Sequence, residues 1–263
     1  LLTCQDRTLK DNSANNFAMS SVAPAKPFPV SPFTQTYSSV AGLSTLGSAY
    51  FDGTGDYLSV PNSPSHSSYP GDFTVEGWFY TPSTSVATQT VFSHRNGASS
   101  YVPYIFWLTT TSITLYVSSN NSSWDIVNGA NVGTIAASQW YHLAYTRTGT
   151  TCRVFLNGVQ TYTFTTAASF TTVNPLQLGM TGPGETNSAM IGYLSDIRIT
   201  KTGLYTSDFA PTYQPLPALA NTSLLTLQYN GGASNNGIVD TSGWMNPLTR
   251  YGNATQGSFS PYS

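Results

Sequence analysis

The chain has few charged side chains, and this shortage limits what it can bind. Only 8% of its 263 residues are Asp, Glu, Lys or Arg, and the formal net charge is −2. A basic patch that neutralises phosphates is therefore missing, which excludes nucleic acid as an expected partner. Hydroxyl and amide groups have to solubilise a surface so poor in ions. We associate such surfaces with virions and the cell exterior, and we expect one of these locations.

Long apolar segments and helical periodicity are missing as well. No run of about 18 apolar residues occurs, so we expect no transmembrane helix. Apolar residues do not recur at intervals of three and four, whereas many short segments alternate with the period of a strand. These absences exclude a helical membrane protein and a helical bundle, and they favour the all-β class.

Cysteine is scarce, with only Cys4 and Cys152 in the chain. Two cysteines cannot support a disulfide scaffold or a zinc site. Cys152 shares its parity with Val154 and Leu156, which predicts a small buried thiol on the inward face of a strand. A disulfide between the two cysteines stays open. Because the chain begins with Leu rather than Met, we expect a processed product or part of a longer protein.

Residues 48–60, SAYFDGTGDYLSV, show a pattern of strand, tight turn and strand. Ala49 and Phe51 share one parity before the turn, and Leu58 and Val60 share one parity after it. The turn itself supplies two glycines for positive φ and two Asp for turn hydrogen bonds. We predict a β-hairpin here, and we expect an antiparallel sandwich to be built around it.

Further strands follow at short intervals, most of them bounded by turn residues. Residues 72–80, DFTVEGWFY, carry bulky side chains on both faces, which predicts a strand in mid-sheet that is covered on both sides. Asn157-Gly158 is the best hairpin signal, because a type I′ turn needs positive φ at both central residues. The other predicted strands are 1–5, 89–94, 101–108, 112–117, 124–128, 139–147, 151–156, 159–164, 176–179 and 191–200. The sequence therefore predicts an all-β antiparallel sandwich or jelly roll.

These patterns divide the chain into three parts. Residues 1–47 contain a first strand and a proline-rich lead-in, 23–33, that cannot be a central strand. Residues 48–217 form the body of the sandwich. Residues 218–263 are a C-terminal extension whose LLTLQ at 224–228 repeats LLTCQ at 1–5, so the extension resembles the start of a second such domain.

The C-terminal extension has to bury its apolar side chains somewhere. It packs either on this sandwich or on a neighbouring subunit, where strand addition would build a polymer or lattice. The alternative is that the repeat is a chance similarity of two extended segments. The candidate assembly residues are Leu224, Leu225, Leu227 and Trp244.

The order of the motifs resembles a known family. SAYFDGTGDYLSVP is followed by DFTVEGWFY, QWYHLAYTR, VFLNGV, LQLG and GYLSDIRIT, and the set covers roughly residues 48–211. It is similar to the laminin G-like (LamG) branch of the concanavalin A-like lectin/glucanase superfamily. The segments LLTCQ and SPF also resemble parts of LamG-type structural proteins of bacteriophage virions. The resemblance implies the sandwich fold, but this fold hosts many functions.

The resemblance also raises the question of glycosidase activity. Sandwich glucanases of this superfamily use two Glu residues four positions apart, and a retaining mechanism needs carboxyl groups about 5 Å apart. This chain has only Glu76 and Glu185, and it has no E-x-D-x-E pattern. His142, in mid-strand, is interpreted as a packed residue, and no G-x-S-x-G elbow accompanies the histidines. We therefore predict a protein that is not an enzyme.

Two kinds of ligand remain as candidates. Sandwiches of this superfamily often hold calcium at a loop rim, and the candidate ligands here are Asp52, Asp56, Asp72 and Asp196. Turn hydrogen bonds explain Asp52 and Asp56 equally well without a metal. No other cofactor is expected. For a carbohydrate, the best local candidate is Trp124 with Asp125 and Asn121, unless Trp124 instead packs against the sheet.

These observations favour a structural or adhesive sandwich that is a virion surface component, such as a fibre, decoration or appendage subunit. Its partners would be copies of itself or other structural subunits, joined through strand and Tyr-rich contacts that bury few charges. The alternative is a secreted or cell-surface module that binds a glycan. The first hypothesis expects residues 224–263 to be buried between chains, and the second expects Trp124 or Asp-rich loops to be open to solvent.

Overall fold

The computed structural model describes residues 45–83, 88–97, 99–109, 111–183, 185, 188–230 and 238–262. The predicted first strand, Cys4 and the proline-rich lead-in lie outside these residues. One short helix, α1, spans Pro64–Ser67, and none of the described segments forms a helix long and apolar enough to cross a membrane. The strands are β1 (Thr45–Leu46), β2 (Ser48–Asp52), β3 (Tyr57–Val60), β4 (Ser68–Tyr69), β5 (Phe73–Tyr80), β6 (Gln89–Ser93), β7 (Ile105–Leu108), β8 (Ser112–Val117), β9 (Val127–Thr134), β10 (Trp140–Thr148), β11 (Thr151–Leu156), β12 (Val159–Thr165), β13 (Phe170–Thr171), β14 (Leu176–Leu178), β15 (Ile191–Thr200), β16 (Thr222–Thr226), β17 (Tyr229–Asn230), β18 (Thr249–Tyr251) and β19 (Thr255–Gly257).

Two large antiparallel sheets enclose the core. The eight-stranded sheet has the order β12-β11-β10-β5-β15-β2-β19, and β16 also pairs with β15. The seven-stranded sheet has the order β18-β3-β14-β6-β7-β8-β9. Two short ladders, β1 with β17 and β4 with β13, lie beside them. The predicted all-β antiparallel sandwich is therefore confirmed.

Inward-facing residues of both sheets form one hydrophobic core. In β8, Ile113, Leu115 and Val117 are buried, and the residues between them are partly exposed, as the alternation predicts. Strand β5 lies in mid-sheet between β10 and β15, with almost every residue buried. Its Trp78 faces away from the core, where Tyr213 covers it at a ring distance of 5.7 Å. Both faces of β5 are thus covered, as predicted.

Residues 48–60 form two strands and a tight turn, but they do not form a hairpin. Strand β2 pairs with β15 and β19 in one sheet, whereas β3 pairs with β14 and β18 in the other. The turn carries the chain across the edge of the core, and Asp56 Oδ2 accepts a hydrogen bond from the Asp52 amide at 3.0 Å. The predicted pairing was wrong because the parity of apolar residues fixes which face is buried, and both arrangements bury the same face.

The Asn157-Gly158 turn has the predicted conformation. The φ angles are 52° and 78°, and the turn joins β11 to β12. A Cβ atom on Gly158 would lie 1.9 Å from the carbonyl oxygen of Phe209, so only glycine fits. The Phe209 amide donates to the Gly158 carbonyl at 2.9 Å, which fixes the segment that follows β15 onto the sheet.

The C-terminal extension pairs with strands of its own sandwich. Strand β16 pairs with the second half of β15, while β18 and β19 pair with β3 and β2. Leu224, Leu225 and Leu227 are at most 3% exposed within the same chain, so they are not on a surface that a partner could contact. Of the four candidate assembly residues, only Trp244 faces solvent, with 62% of its surface exposed.

Strand β15 has a β-bulge at Asp196, where φ is 54°, and it pairs with the extension after this bulge. Its first half pairs with β2 and its second half with β16, and its register against β5 shifts between Ser195 and Arg198. The Asp196 amide donates to the Leu227 carbonyl at 3.0 Å. This bulge lets one strand change its neighbour.

Candidate functional site

The residues predicted to bind carbohydrate share the loop between β8 and β9. Asn121 has a φ of 55°, and its side chain is exposed. Asp125 accepts hydrogen bonds from the Ser119 amide at 2.9 Å and the Ser119 hydroxyl at 2.6 Å. Partial burial raises the pKa of the Asp125 carboxyl, but these hydrogen bonds outweigh it, and the pKa lies below its ordinary value. Asp125 therefore orders the loop, and Asn121 remains open to a ligand.

Trp124 is half-buried and precedes the strand that it was expected to open, since β9 begins at Val127. Its ring packs against Tyr101 and Tyr116 at centroid distances of 5.0 and 5.2 Å. The guanidinium carbon of Arg95 lies 5.9 Å from the ring centroid. Trp124 thus packs on the outer side of the seven-stranded sheet, which is the alternative left open above, and there it supports Tyr101.

A cleft of about 310 Å³ opens beside this aromatic cluster. Its volume is at the lower end of the range for small-ligand sites, roughly 300–1,000 Å³. Six of its eight lining residues are Ser, Thr or Asn, Tyr101 adds one aromatic ring, and none of the lining residues is charged. We call it the Tyr101 cleft, and its lining residues are Ser99, Ser100, Tyr101, Asn121, Thr171, Thr172, Val173 and Asn174.

Hydrogen bonds hold the walls of the Tyr101 cleft in place. The Ser100 carbonyl accepts from Arg95 Nε at 3.0 Å, and Arg95 Nη1 lies 3.1 Å from a carboxylate oxygen of Glu185. On the opposite wall, the Thr172 amide donates to the Ser67 carbonyl at 3.0 Å. The cleft is therefore largely preformed. Of its residues the sequence identified only Asn121, because the others lie in loops or at the end of the short strand β13, without a motif.

The four Asp residues proposed for calcium do not converge. Asp52 Oδ1 accepts from the Thr54 amide at 2.7 Å, and Asp56 accepts from the amides of Asp52 and Asn253. Asp72 accepts from the amide of Gly149 on a different turn. Within the described ranges, no group of three or more His, Cys, Asp or Glu residues could hold a metal ion. These carboxylates therefore act in turn hydrogen bonds, and calcium binding by them stays a prediction.

Asp196, the fourth candidate, is enclosed beside β16. Its carboxylate accepts hydrogen bonds from the Leu216 amide and from Gln228 Nε2, both at 2.7 Å, and from the Tyr262 hydroxyl. Burial raises the pKa of the Asp196 carboxyl to about 6, although these hydrogen bonds oppose the increase. The residue joins the extension to the bulge in β15, and no metal is needed to explain it.

Glu76 lies in a buried polar cluster on the outer side of the eight-stranded sheet. Its Oε1 accepts from Arg198 Nε at 2.9 Å and from Nη2 at 2.6 Å. Its Oε2 accepts from the Tyr205 hydroxyl at 2.8 Å and lies 3.2 Å from His142 Nε2. Burial raises the pKa of the Glu76 carboxyl, but the bonds from His142 and Arg198 outweigh it, and the pKa lies below its ordinary value. This carboxylate is closed off from any substrate.

The two Glu residues of the chain are also held apart by their partners. Glu76 is fully buried in β5, whereas Glu185 pairs with Arg95 next to the seven-stranded sheet. Neither side chain is positioned to act with the other on one glycosidic bond. The absence of enzymatic activity stays a prediction, and this geometry agrees with it.

A cluster of five aromatic residues lies on the outer side of the eight-stranded sheet. The Phe259 ring lies 4.8 Å from Tyr193, 4.9 Å from Tyr80 and 5.3 Å from Trp140. Tyr50 packs on Tyr193 at 5.0 Å. Tyr50 and Phe259 are 37% and 39% exposed. We call these five residues the aromatic patch.

The Laminin_G_3 family model of the concanavalin A-like lectin/glucanases superfamily matches residues 52–208, which is more than half of the chain. The chain therefore belongs to this family, and the predicted laminin G-like resemblance is confirmed. No curated protein sequence matches it.

Solved structures share the fold at low sequence identity. A candidate carbohydrate-binding protein from Bacteroides ovatus ATCC 8483 has a TM-score of 0.57 and 14% identity, and the match covers 81% of this chain and 60% of that one. Domains LG4-5 of the mouse laminin alpha1 chain have a TM-score of 0.46 and 13% identity, with 64% and 48% covered. The sialyllactose-bound CBM40 of a Ruminococcus gnavus sialidase has a TM-score of 0.42 and 14% identity, with 51% and 78% covered. At these identities the likeness shows the fold alone.

Proposed function

We propose that this protein is a lectin-like module without enzymatic activity and that it binds a glycan in the Tyr101 cleft. The cleft itself carries the proposal. It places one aromatic ring beside several hydroxyl and amide groups, at a volume that suits one or two sugar rings. Membership in a superfamily of lectins and glucanases supports it, as does the likeness to the Bacteroides ovatus protein described as a candidate for carbohydrate binding.

The lining also indicates the kind of sugar. Because no charged side chain lines the cleft, we expect a neutral glycan. The Tyr101 ring would pack on the C–H face of a sugar, since tyrosine combines an apolar face with a polar edge. The amides of Asn121 and Asn174 would exchange hydrogen bonds with its hydroxyls. A glycan partner agrees with a secreted or surface location, which we propose along with this function.

The experiment is a screen of the full chain against neutral glycans, followed by titration calorimetry with the best ligand. We expect Asn121→Ala and Tyr101→Ala each to weaken binding at least tenfold, about 1.4 kcal/mol. Tyr251→Ala is the matched control, because Tyr251 is a half-exposed tyrosine stacked on Tyr57 elsewhere in the structure. Equal affinity of all three variants and the wild type would contradict the assignment of this cleft.

A second candidate function is a structural or adhesive role as a subunit at a virion surface. The aromatic patch supports it, because aromatic side chains are enriched at the centres of protein interfaces. The low charge of the chain supports it too, since few ions would be desolvated on assembly. Its partners would be copies of this chain or other structural subunits.

Light scattering coupled to size exclusion tests the structural role. We expect the full chain to form a defined oligomer at tens of micromolar concentration if the patch is an interface. Phe259→Ser would then shift it to monomer, whereas Tyr213→Ser, which changes an aromatic residue that is 66% exposed outside the patch, would not. A monomeric wild type would remove the support for this second function and leave the glycan proposal untouched.

A further inference from the structure

A second cleft, of about 280 Å³, lies between α1 and the C-terminal extension. It differs from the Tyr101 cleft in having a cationic side chain and a tryptophan. We call it the Trp244 cleft, and its lining residues are Pro64, Ser65, Lys201, Ala220, Asn221, Ser223 and Trp244.

Trp244 is exposed although its backbone is well fixed. Its amide donates to the Ser242 hydroxyl oxygen at 3.2 Å, and that hydroxyl donates to Asp240 Oδ2 at 2.8 Å. Asp240 is only 3% exposed and also accepts from the amides of Leu225 and Asn246. An ordered turn thus holds a large aromatic ring with 62% of its surface in solvent. Such a ring is suited to stacking against a ligand.

Lys201 is partly buried and lacks an acidic partner. Its ammonium donates to the Ser68 carbonyl and lies 4.1 Å from the centroid of the Tyr69 ring. None of the ion pairs found among the described residues includes it, and Asp240 at this end of the molecule is occupied by its own turn. Burial lowers the pKa of the Lys201 amine to about 8, as expected of a cation without compensation. An anion that entered the cleft would supply the missing charge.

We propose that the Trp244 cleft binds a carboxylated sugar, with Trp244 stacked on the ring and Lys201 facing the carboxylate. Asn221 is exposed, and its amide nitrogen donates to Thr202 Oγ1 at 3.1 Å, which leaves its carbonyl oxygen to accept from a sugar hydroxyl. The volume is close to that of the Tyr101 cleft, so it suits one or two sugar rings and does not fit an extended peptide. A single ammonium also balances the one negative charge of a carboxylate, whereas a phosphate ester carries close to two negative charges at neutral pH.

This site is independent of the proposed function, because it uses other residues and prefers a charged ligand. The test is NMR of the ¹⁵N-labelled full chain, with the Trp244 indole signal identified by its loss in Trp244→Phe. Sodium glucuronate, glucose, glucose 6-sulfate and sodium acetate are the titrants. We expect a saturable shift with glucuronate and none of comparable size with the other three.

Variants at Lys201 test the role of the charge. Lys201→Gln should weaken glucuronate binding at least tenfold, while Lys201→Arg, which keeps the charge, should retain most of it, and thermal melts check that both are folded. Tyr101→Ala should leave this binding unchanged. Calorimetry of the wild type should show about a tenfold loss of affinity between pH 7 and pH 9, because the amine loses its proton around pH 8. Equal shifts with glucose or acetate, a preference for the sulfate, or unchanged binding by Lys201→Gln would overturn the proposal.

Discussion

His94 should make the stability of this protein sensitive to mild acid. The ring is fully buried, and its Nε2 lies 3.2 Å from the hydroxyls of both Tyr69 and Tyr104. Burial lowers the pKa of His94 from 6.5 to about 3, and the charges of His66 and Lys201 contribute in the same direction. The folded core therefore disfavours the protonated form of His94.

The size of the effect follows from the two pKa values. Because the pKa is lower in the folded state, the unfolded chain binds more protons as the pH falls below 6.5. The stability linked to His94 is complete above this value and is lost progressively as the pH falls toward 3. Between pH 8 and pH 5, the loss from this one side chain is about 2 kcal/mol. This is a large part of the 5–15 kcal/mol that is typical of a folded domain.

Urea denaturation of the wild type and of His94→Gln at pH 8 and pH 5 measures this contribution. Gln keeps a hydrogen-bonding group near the tyrosines but does not titrate. We expect the wild type to lose about 2 kcal/mol more than the variant between the two pH values. Other titrating groups are present in both proteins and cancel in this comparison. Losses that agree within about 0.5 kcal/mol would refute the reasoning.

Three further predictions concern side chains elsewhere in the fold. Because burial raises the pKa of Asp196, the folded protein gains stability as the pH falls through 6. Asp196→Asn should remove this gain, which is about 1 kcal/mol between pH 8 and pH 5, in the same urea assay. Leu224→Ala should cost about 2–5 kcal/mol in equilibrium unfolding, whereas Leu219→Ala at a 38% exposed position should change the free energy of unfolding by no more than about 0.5 kcal/mol. Arg198→Leu should lower the free energy of unfolding by about 3–5 kcal/mol, because it leaves the buried carboxylate of Glu76 without its cationic partner. Adding Glu76→Gln should recover part of this loss, which a double-mutant cycle measures.

The sequence predicted those parts of the fold that depend on local patterns. The alternation of Ile113, Leu115 and Val117 marked β8 because a half-buried strand needs a period of two. The Asn157-Gly158 turn was predictable because the backbone conformation itself requires those residues. The strands that pair with β2 and with β3 were not predictable, because the choice of a neighbouring strand depends on residues far away in the chain.

The candidate sites were harder to predict for the same reason. Asn121 stood out within a polar loop, but Thr172 and Asn174 meet it only after β13 has paired with β4. Lys201 carries no local signal, because the role proposed for it depends on its burial and on the cleft that it lines together with Asn221 and Trp244. Sites that several loops build together become visible only when the tertiary structure is known.

The pairing of the extension with the first strands has a consequence for how the molecule folds during synthesis. Tyr50 in β2 lies opposite Thr255 in β19, and Ser59 in β3 lies opposite Thr249 in β18. These partners are separated by nearly the whole described chain, so the native contact order is high and folding is expected to be slow. A ribosome-bound chain that has reached residue 217 would leave β2, β3 and half of β15 with unpaired edges. These edges are completed only after the last strands emerge, and until then they are where a nascent chain would aggregate or recruit a chaperone.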